Sequence, residues 1–78
     1  MNPQELYDLI GESLEIDASA IHADKAISDY EEWNSLAWLT IMSLLDERYG
    51  ISLSGAEIRS FKSVQDFVDN VTGKVSAV

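Results

Sequence analysis

The sequence predicts an all-α fold, a bundle of three main helices and one short helix with a long loop between the first two. Apolar residues recur at helical spacing in three separate segments. The predicted helices follow Asn or Ser residues, which are favoured N-caps, and no segment shows the pattern of paired strands. The 78 residues suffice for one small domain. We expect that domain to span residues 1–78, with a core at about 4–72 and a frayed tail at 73–78.

The first helix is predicted to begin in the run Asn2-Pro3-Gln4-Glu5, which offers an N-cap, a proline for the first helical position and an acid in the first turn. Gly11 lies inside this helix and is expected to cost about 1 kcal/mol relative to alanine. Four apolar residues at helical spacing define its buried face: Leu6, Leu9, Ile10 and Leu14.

Residues 17–33 have no sustained hydrophobic period and are predicted to form the long loop. They are rich in Asp, Ser, Ala and Glu, with Ile21, Ile27 and Tyr30 as the residues expected to anchor the loop to the core. Long loops in compact domains are often functional.

The second helix is predicted over residues 35–49. Its expected inner stripe consists of Leu39, Met42, Leu45 and Tyr49, with Ile41 beside them. Its expected outward positions are Leu36, Ala37, Thr40 and Ser43. Gly50 is expected to end the helix in the left-handed conformation, with Ile51 making the accompanying apolar contact.

Two more helices are predicted after the second. Ser54 opens a short one with the capping-box pattern, since Glu57 stands three residues later. Ser63 is the expected N-cap of the last helix, with Asp66 at the matching position. Its apolar face is predicted to consist of Val64, Phe67, Val68 and Val71, and the helix to end near Gly73.

Ser35 is the most informative single residue. It directly follows Asn34, a good N-cap, so its hydroxyl should lie exposed in the first turn of a helix, where free N–H groups and the helix dipole favour an anion. No catalytic base stands near it in sequence, and the only histidine, His22, is expected to be a surface loop residue. Ser35 is therefore a good candidate for modification by another enzyme with a phosphate-linked group, and a poor candidate for a self-activated nucleophile.

Composition narrows the function further. The formal charge of −9, from 14 acidic and 5 basic residues, disfavours nucleic acid and anionic membrane surfaces and favours partners with basic patches. The chain has no cysteine and no apolar run of about 18 residues. So short a chain leaves no room for both a substrate cleft and a catalytic apparatus. We therefore expect a cytoplasmic, monomeric protein with no catalytic residues and no metal site.

The motif around Ser35 resembles that of the acyl carrier proteins and related thiolation domains. The family hallmark is Asp-Ser-Leu at the start of the second helix, and the matching residues here are Asn34-Ser35-Leu36. The run Tyr49-Gly50-Ile51-Ser52-Leu53 is similar to the family's exit from that helix. The likeness extends over about residues 4–72. It implies an acyl-carrier-like bundle.

The resemblance also implies a cofactor and partners. A phosphopantetheinyl transferase would move 4′-phosphopantetheine from coenzyme A onto Ser35. The thiol of this arm would carry acyl or aminoacyl thioesters, attached by a loading ligase or transferase and passed to downstream biosynthetic enzymes. Leu36 would contact these partners. The acids Glu31, Glu32, Asp46 and Glu47 would form the docking surface.

Asn34 departs from the family pattern. Asn and Asp cap a helix about equally well, but an amide is a weaker ligand than a carboxylate for the magnesium that the transferase uses. An alternative therefore stays open, a carrier-like acidic docking module that is never modified. The outward face of the second helix also carries few acids, which favours a dedicated biosynthetic pathway over general fatty acid synthesis.

Two further groups of residues allow two interpretations each. Trp33 and Trp38 form either a hydrophobic staple across the helix start or a surface under the arm or a partner. The acids of the loop, including Asp24 and Asp29, are either simply solvated or part of a patch that docks basic enzyme surfaces.

Overall fold

The computed structural model describes residues 2–76 and confirms the all-α prediction. Helix α1 spans Pro3–Leu14, α2 Ser35–Tyr49, α3 Gly55–Ser60 and α4 Val64–Ser76. The long loop contains two 3-10 turns, at Ala18–Ala20 and Ile27–Asp29. Within residues 2–76 there is no β-strand, only a single antiparallel bridge between Ala26 and Ser63. None of the helices described is long and apolar enough to cross a bilayer.

Side-chain caps fix the helix starts where the sequence predicted them. Asn2 Oδ1 accepts from the Glu5 N–H at 3.0 Å. Ser54 and Glu57 form the reciprocal capping box at the start of α3. The box at the start of α4 is also present, because the Asp66 carboxylate accepts from the Ser63 N–H at 3.1 Å and the Ser63 hydroxyl accepts from the Asp66 N–H at 3.1 Å. Local hydrogen-bond chemistry therefore sets these boundaries.

The predicted faces of α1 and α4 and the loop anchors are all in the core. Every one of the following side chains is at most 9% exposed: Leu6, Leu9, Ile10, Leu14, Ile21, Ile27, Tyr30, Val64, Phe67, Val68 and Val71. At the end of α2, Gly50 has φ 66°, and the Ile51 N–H donates to the Leu45 carbonyl at 3.2 Å. Ile51 is buried, so the predicted left-handed end of α2 with its apolar contact is confirmed.

The predicted inner stripe of α2 is partly wrong. Ala37, Ile41 and Leu45 are buried, whereas Leu39 is 63% exposed and Met42 is half-buried. A helix turns about 100° per residue, so Leu39 lies on the opposite side of the helix from Ile41. The large side chain of Trp38, next to Ala37, packs edge-on against Phe67 of α4, with ring centroids 5.8 Å apart. This contact favours the rotation of α2 that is observed. Ala37, predicted to point outward, is thereby turned inward.

Gly11 is a packing requirement, a role that the sequence did not predict. A Cβ built on Gly11 would lie 2.9 Å from the Ile16 carbonyl oxygen and 3.2 Å from the Ala18 Cα. Both atoms are backbone, which cannot move away as a side chain would. The chain returns across Gly11 because Glu15 ends α1 in the left-handed conformation, at φ 59°. Glycine thus lets the start of the loop fold back onto α1.

Helix α4 is longer than predicted. It continues through Gly73 to Ser76, whereas the sequence predicted an end near Gly73. The predicted fraying of the tail at 73–78 stays a prediction, and residues 77 and 78 lie outside the described part of the chain. Lys74 Nζ lies 2.8 Å from Glu57 Oε2, which ties this turn to α3. Hydrogen bonds from Lys74, the Ser54 N–H and Asn70 lower the pKa of Glu57 to about 2. The single-domain boundaries stay a prediction.

The long loop is joined to the start of α4 by its backbone. Three hydrogen bonds of 2.9–3.0 Å make the connection, from Ile27 N to Lys62 O, from Val64 N to Lys25 O and from Gln65 N to Ala23 O. Two of them, donated by Val64 and Gln65, satisfy N–H groups at the start of α4 that have no partner within the helix. The loop that leads to Ser35 is therefore an ordered part of the fold.

Candidate functional site

The first turn of α2 leaves two backbone donors open. Asn34 is the N-cap, and its Oδ1 accepts from the Ala37 N–H at 3.0 Å while its carbonyl accepts from the Trp38 N–H at 3.0 Å. The N–H groups of Ser35 and Leu36 make no hydrogen bond within residues 2–76. No acid stands in this first turn. Two free donors at the positive end of a helix suit the oxygens of a phosphodiester.

The Ser35 side chain is exposed, as predicted, at this same turn. Its hydroxyl has no hydrogen-bond partner in the described part of the chain, and in particular no imidazole or carboxylate base. The same residues contain no group of three or more His, Cys, Asp or Glu side chains placed to hold a metal ion. The geometry fits a hydroxyl that receives a phosphate-linked group from another enzyme.

Aromatic rings hold the turn in place. Trp33, at 6% exposed, and the half-buried Trp38 pack against each other with centroids 5.2 Å apart, which is the staple between the residue before the N-cap and the fourth helical residue. Both rings contact Phe67 of α4, at 5.9 and 5.8 Å. Trp33 Nε1 is buried without a partner among residues 2–76. The staple interpretation is therefore confirmed, and burial removes Trp33 from the surface that an arm or partner meets.

The far end of α2 is tied to α1. The Tyr49 hydroxyl donates to Glu5 Oε2 at 3.1 Å, and Arg48 lies 3.0 Å from Glu12 Oε1. Burial, followed by the hydrogen bond to Glu5, raises the pKa of Tyr49. Helix α2 is thus held at both ends, by the aromatic rings at its start and by these contacts at its end. The orientation of Ser35 follows from that support.

The four predicted docking acids are exposed but do not form one cluster. Glu31 and Glu32 precede the helix, and Asp46 and Glu47 stand in its last turns. At 1.5 Å per residue the two pairs are separated by most of the helix length. The surface between them is apolar at two points, Leu36 at 71% exposed and Leu39 at 63%.

Leu36 was predicted as a contact residue, whereas Leu39 was missed. The sequence did contain a signal for the exposure of Leu39. Ala37, Ile41 and Leu45 are spaced four residues apart and form an alternative buried stripe, and Leu39 does not lie on that stripe.

Two grooves flank this surface. The α1–α2 groove, of about 320 Å³, lies between the end of α1 and the start of α2, and its lining includes Ser13, Glu15 and Glu32 together with both neighbours of Ser35. The α2–loop groove, of about 390 Å³, lies between the second half of α2 and the segment after it, and its lining includes Met42, Ser43 and Leu53. Sequence reasoning predicted neither groove. The first is made by residues far apart in the chain, and the second depends on how the segment after α2 folds back beside it.

Comparison with known proteins identifies the family. The model of the family described as "Phosphopantetheine attachment site" matches residues 4–71. The chain belongs to this family. It is 30% identical over 73 residues to an acyl carrier protein of Aster yellows witches'-broom phytoplasma, covering 94% of this chain and 96% of that one. It is 27% identical over 75 residues to the polyketide-8 synthase acyl carrier protein 2 of Streptomyces avermitilis, covering 96% and 86%.

The fold is likewise similar to a solution structure of a holo acyl carrier protein from Nitrosomonas europaea, with a TM-score of 0.75, 19% identity and 95% of each chain covered. The acyl-carrier-like bundle predicted from the sequence is confirmed. Family membership makes the chain an acyl carrier whose prosthetic group is a covalently attached 4′-phosphopantetheine. Such proteins are carriers that serve phosphopantetheinyl transferases and biosynthetic enzymes, and catalysis belongs to those partners.

Proposed function

We propose that Ser35 carries the 4′-phosphopantetheine arm and that the chain presents acyl or aminoacyl thioesters on it to partner enzymes. The observation that supports this most strongly is the exposed, unpartnered Ser35 hydroxyl beside the two free N–H groups of the first turn of α2. The phosphodiester would be stabilised there by about 0.3–1 kcal/mol. Because the chain has no cysteine, the thiol of the arm is the only thiol available for thioester chemistry.

We further propose that partners dock on the outward face of α2. The transferase, the loading enzyme and the downstream enzymes must all approach Ser35 from this side. Leu36 is the apolar anchor, because it is 71% exposed and adjacent to the attachment residue. Glu31 and Glu32 at one end, with Asp46 and Glu47 at the other, form the acidic rim. A basic partner surface would be steered toward such a rim.

The pathway that we propose is a dedicated one. The relatives include both a protein named simply acyl carrier protein and an acyl carrier protein of a polyketide synthase, so similarity alone does not identify the pathway. The outward face of α2 carries no acid around Leu36, Leu39, Thr40 and Ser43, and its acids stand only at the far end, at Asp46 and Glu47. A pathway enzyme with an apolar recognition surface would bind this face more tightly than an enzyme whose basic surface complements a strongly acidic helix. A cytoplasmic, monomeric state without catalytic activity of its own completes the proposal.

Intact mass tests the attachment residue. The purified chain is incubated with a broad-specificity phosphopantetheinyl transferase, magnesium and coenzyme A. We expect the mass to rise by one arm, and Ser35→Ala to stay at the unmodified mass while retaining its helical circular dichroism. Ser43→Ala, an exposed serine of the same helix, is the matched control and should be modified normally. An arm on Ser35→Ala would refute the assignment.

The unmodified docking module is the second candidate, and Asn34 is the observation that favours it. The amide caps α2 correctly, yet it offers magnesium a weaker ligand than the family's carboxylate. We expect Asn34→Asp to fold with equal stability and to accept the arm faster at limiting magnesium. If neither version gains mass at any magnesium concentration, the docking module is the better description. Equal rates for both would refute the metal argument.

The docking surface is tested by loading kinetics with the genuine partner. Charge reversal at Glu32 and Glu47 should slow association, increasingly so at low salt, where charge steering is strongest. Leu36→Ala should raise the apparent Kd at every salt concentration, because it removes apolar contact area. Asp69→Lys, an exposed acid of α4, is the control for net charge. Unchanged loading in all α2 variants would contradict the proposed surface.

A further inference from the structure

The α1–α2 groove begins beside the proposed attachment residue. Asn34 and Leu36, the residues on either side of Ser35, both line it, and the groove runs from there to Ser13 and Glu15 at the end of α1. A group attached to Ser35 therefore reaches the groove without crossing the outward face of α2. With a volume of about 320 Å³, the groove is open to solvent along its length and of a size for a small flexible chain.

The polar lining of this groove consists mainly of hydrogen-bond acceptors. The Ser13 hydroxyl donates to a carbonyl of its own helix at 2.8 Å, and the Thr40 hydroxyl does the same at 3.2 Å. Each hydroxyl has used its single hydrogen and retains only acceptor capacity toward the groove. Glu15 and Glu32 add four carboxylate oxygens. Asn34, at the Ser35 end, is the lining side chain that has N–H donors.

The chemistry of the arm matches this order of groups. Pantetheine joins a phosphodiester to a branched segment with two methyl groups, then to two secondary amides and a thiol. The phosphate would stay at the Ser35 end, near the free N–H groups and away from Glu15, because carboxylates repel it. Leu14, Leu36 and Ala37 give the groove apolar walls for the methyl groups. The two amide N–H groups would find the acceptors farther along.

We propose, on the basis of attachment at Ser35, that the arm rests in the α1–α2 groove with its two amide N–H groups donating to two of the acceptors that Ser13, Thr40 and the two carboxylates offer. Hydrogen bonds of this kind at a surface are individually weak, so the arm would leave the groove when a partner docks. The thiol would rest near the end of α1, away from the α2–loop groove. Residues of α1, which take no part in the attachment motif, would thus define the resting position of the cargo.

A spin label on the arm tests this directly. The absence of cysteine means that a maleimide nitroxide reacts only with the thiol of the arm. Amide signals are compared between the oxidised and reduced label in the modified, full-length chain. We expect Ser13, Leu14 and Glu15 to lose more than half of their signal intensity. Signals of α3 around Ile58 should be retained.

Two exposed residues of α2 offer a matched pair of variants. Thr40→Phe fills the α1–α2 groove, and Ser43→Phe places the same ring in the α2–loop groove. We expect Thr40→Phe to restore the α1 signals and Ser43→Phe to leave them broadened. Broadening of α3 instead of α1, a response to Ser43→Phe alone, or weak uniform broadening would each overturn the proposal. Intact mass distinguishes failure of the attachment proposal from failure of the groove proposal. If the chain gains no arm, both proposals fail. If it gains the arm but the α1 signals are not broadened, only the groove proposal fails.

Discussion

Replacing Gly11 by alanine should destabilise the protein, although helix propensity alone predicts the opposite. Alanine inside a helix is favoured over glycine by about 1 kcal/mol. Here the added Cβ would lie 2.9 Å from the Ile16 carbonyl oxygen and 3.2 Å from the Ala18 Cα. Overpacking of this kind costs about 1–3 kcal/mol. The difference is a net loss of between about 0 and 2 kcal/mol, with about 1 kcal/mol as the central value.

Gly73 provides the matched control. It also lies inside a helix, but nothing is within 4 Å of the position its Cβ would take. Gly73→Ala should therefore stabilise the protein by up to about 1 kcal/mol, less if the last turns of α4 fray. In a domain of this size each kcal/mol moves Tm by about 4–8 °C, so the two variants should shift in opposite directions.

Urea unfolding followed by circular dichroism measures both free energies of unfolding under identical conditions. Equal slopes against urea would show that the comparison concerns stability and not a change in the unfolded state. A Gly11→Ala variant that is more stable than the unmodified chain would refute the argument that the loop packs on this glycine. A Gly73→Ala variant that is stabilised in the same experiment would show that the assay detects the expected propensity.

Three further outcomes follow from the structure. Asn34→Ala removes the hydrogen bond to the Ala37 N–H and should lower the free energy of unfolding by about 1 kcal/mol, read from urea curves. Glu57 has a folded pKa of about 2 against an ordinary value of 4.5. Its stabilisation is therefore complete above pH 4.5 and lost as the pH falls toward 2, so Glu57→Gln should flatten the fall in Tm across that window. Because the charge is −9, added salt should raise Tm by screening repulsion, and a salt-independent Tm would show that the acids are already compensated.

The helix starts and the end of α2 could be predicted from sequence because their causes are local. Asn2, Ser54 and Ser63 each bond to a backbone N–H three residues away, and Gly50 adopts the conformation that glycine permits most easily. The place of Ser35 in the first turn of α2 follows from the same kind of chemistry.

The rotation of α2 and the role of Gly11 depend on contacts distant in sequence. Leu39 and Ile41 are both strongly apolar, and which of them is buried depends on tertiary packing such as that of Trp38 on Phe67. The clash that excludes alanine at Gly11 arises because Glu15 turns the chain back over α1. The part of α4 beyond Gly73 likewise makes a tertiary contact, because Lys74 forms an ion pair with Glu57 of α3. Hydrophobic period alone does not contain this information.

The backbone bridge between the long loop and the start of α4 has a consequence for the order of folding. Ala26 and Ser63 pair although they are 37 residues apart in the sequence, and the neighbouring Val64 N–H donates to the Lys25 carbonyl. Contacts of such separation form late, because the loop entropy must be lost before the contact is gained. A growing or truncated chain that lacks residues 62–65 lacks this backbone bridge, and the segment leading into Ser35 then depends on its remaining contacts, such as the hydrogen bonds of the Tyr30 hydroxyl with Ala20 and His22. The serine would therefore acquire this part of its native setting only once residues 62–65 have been made.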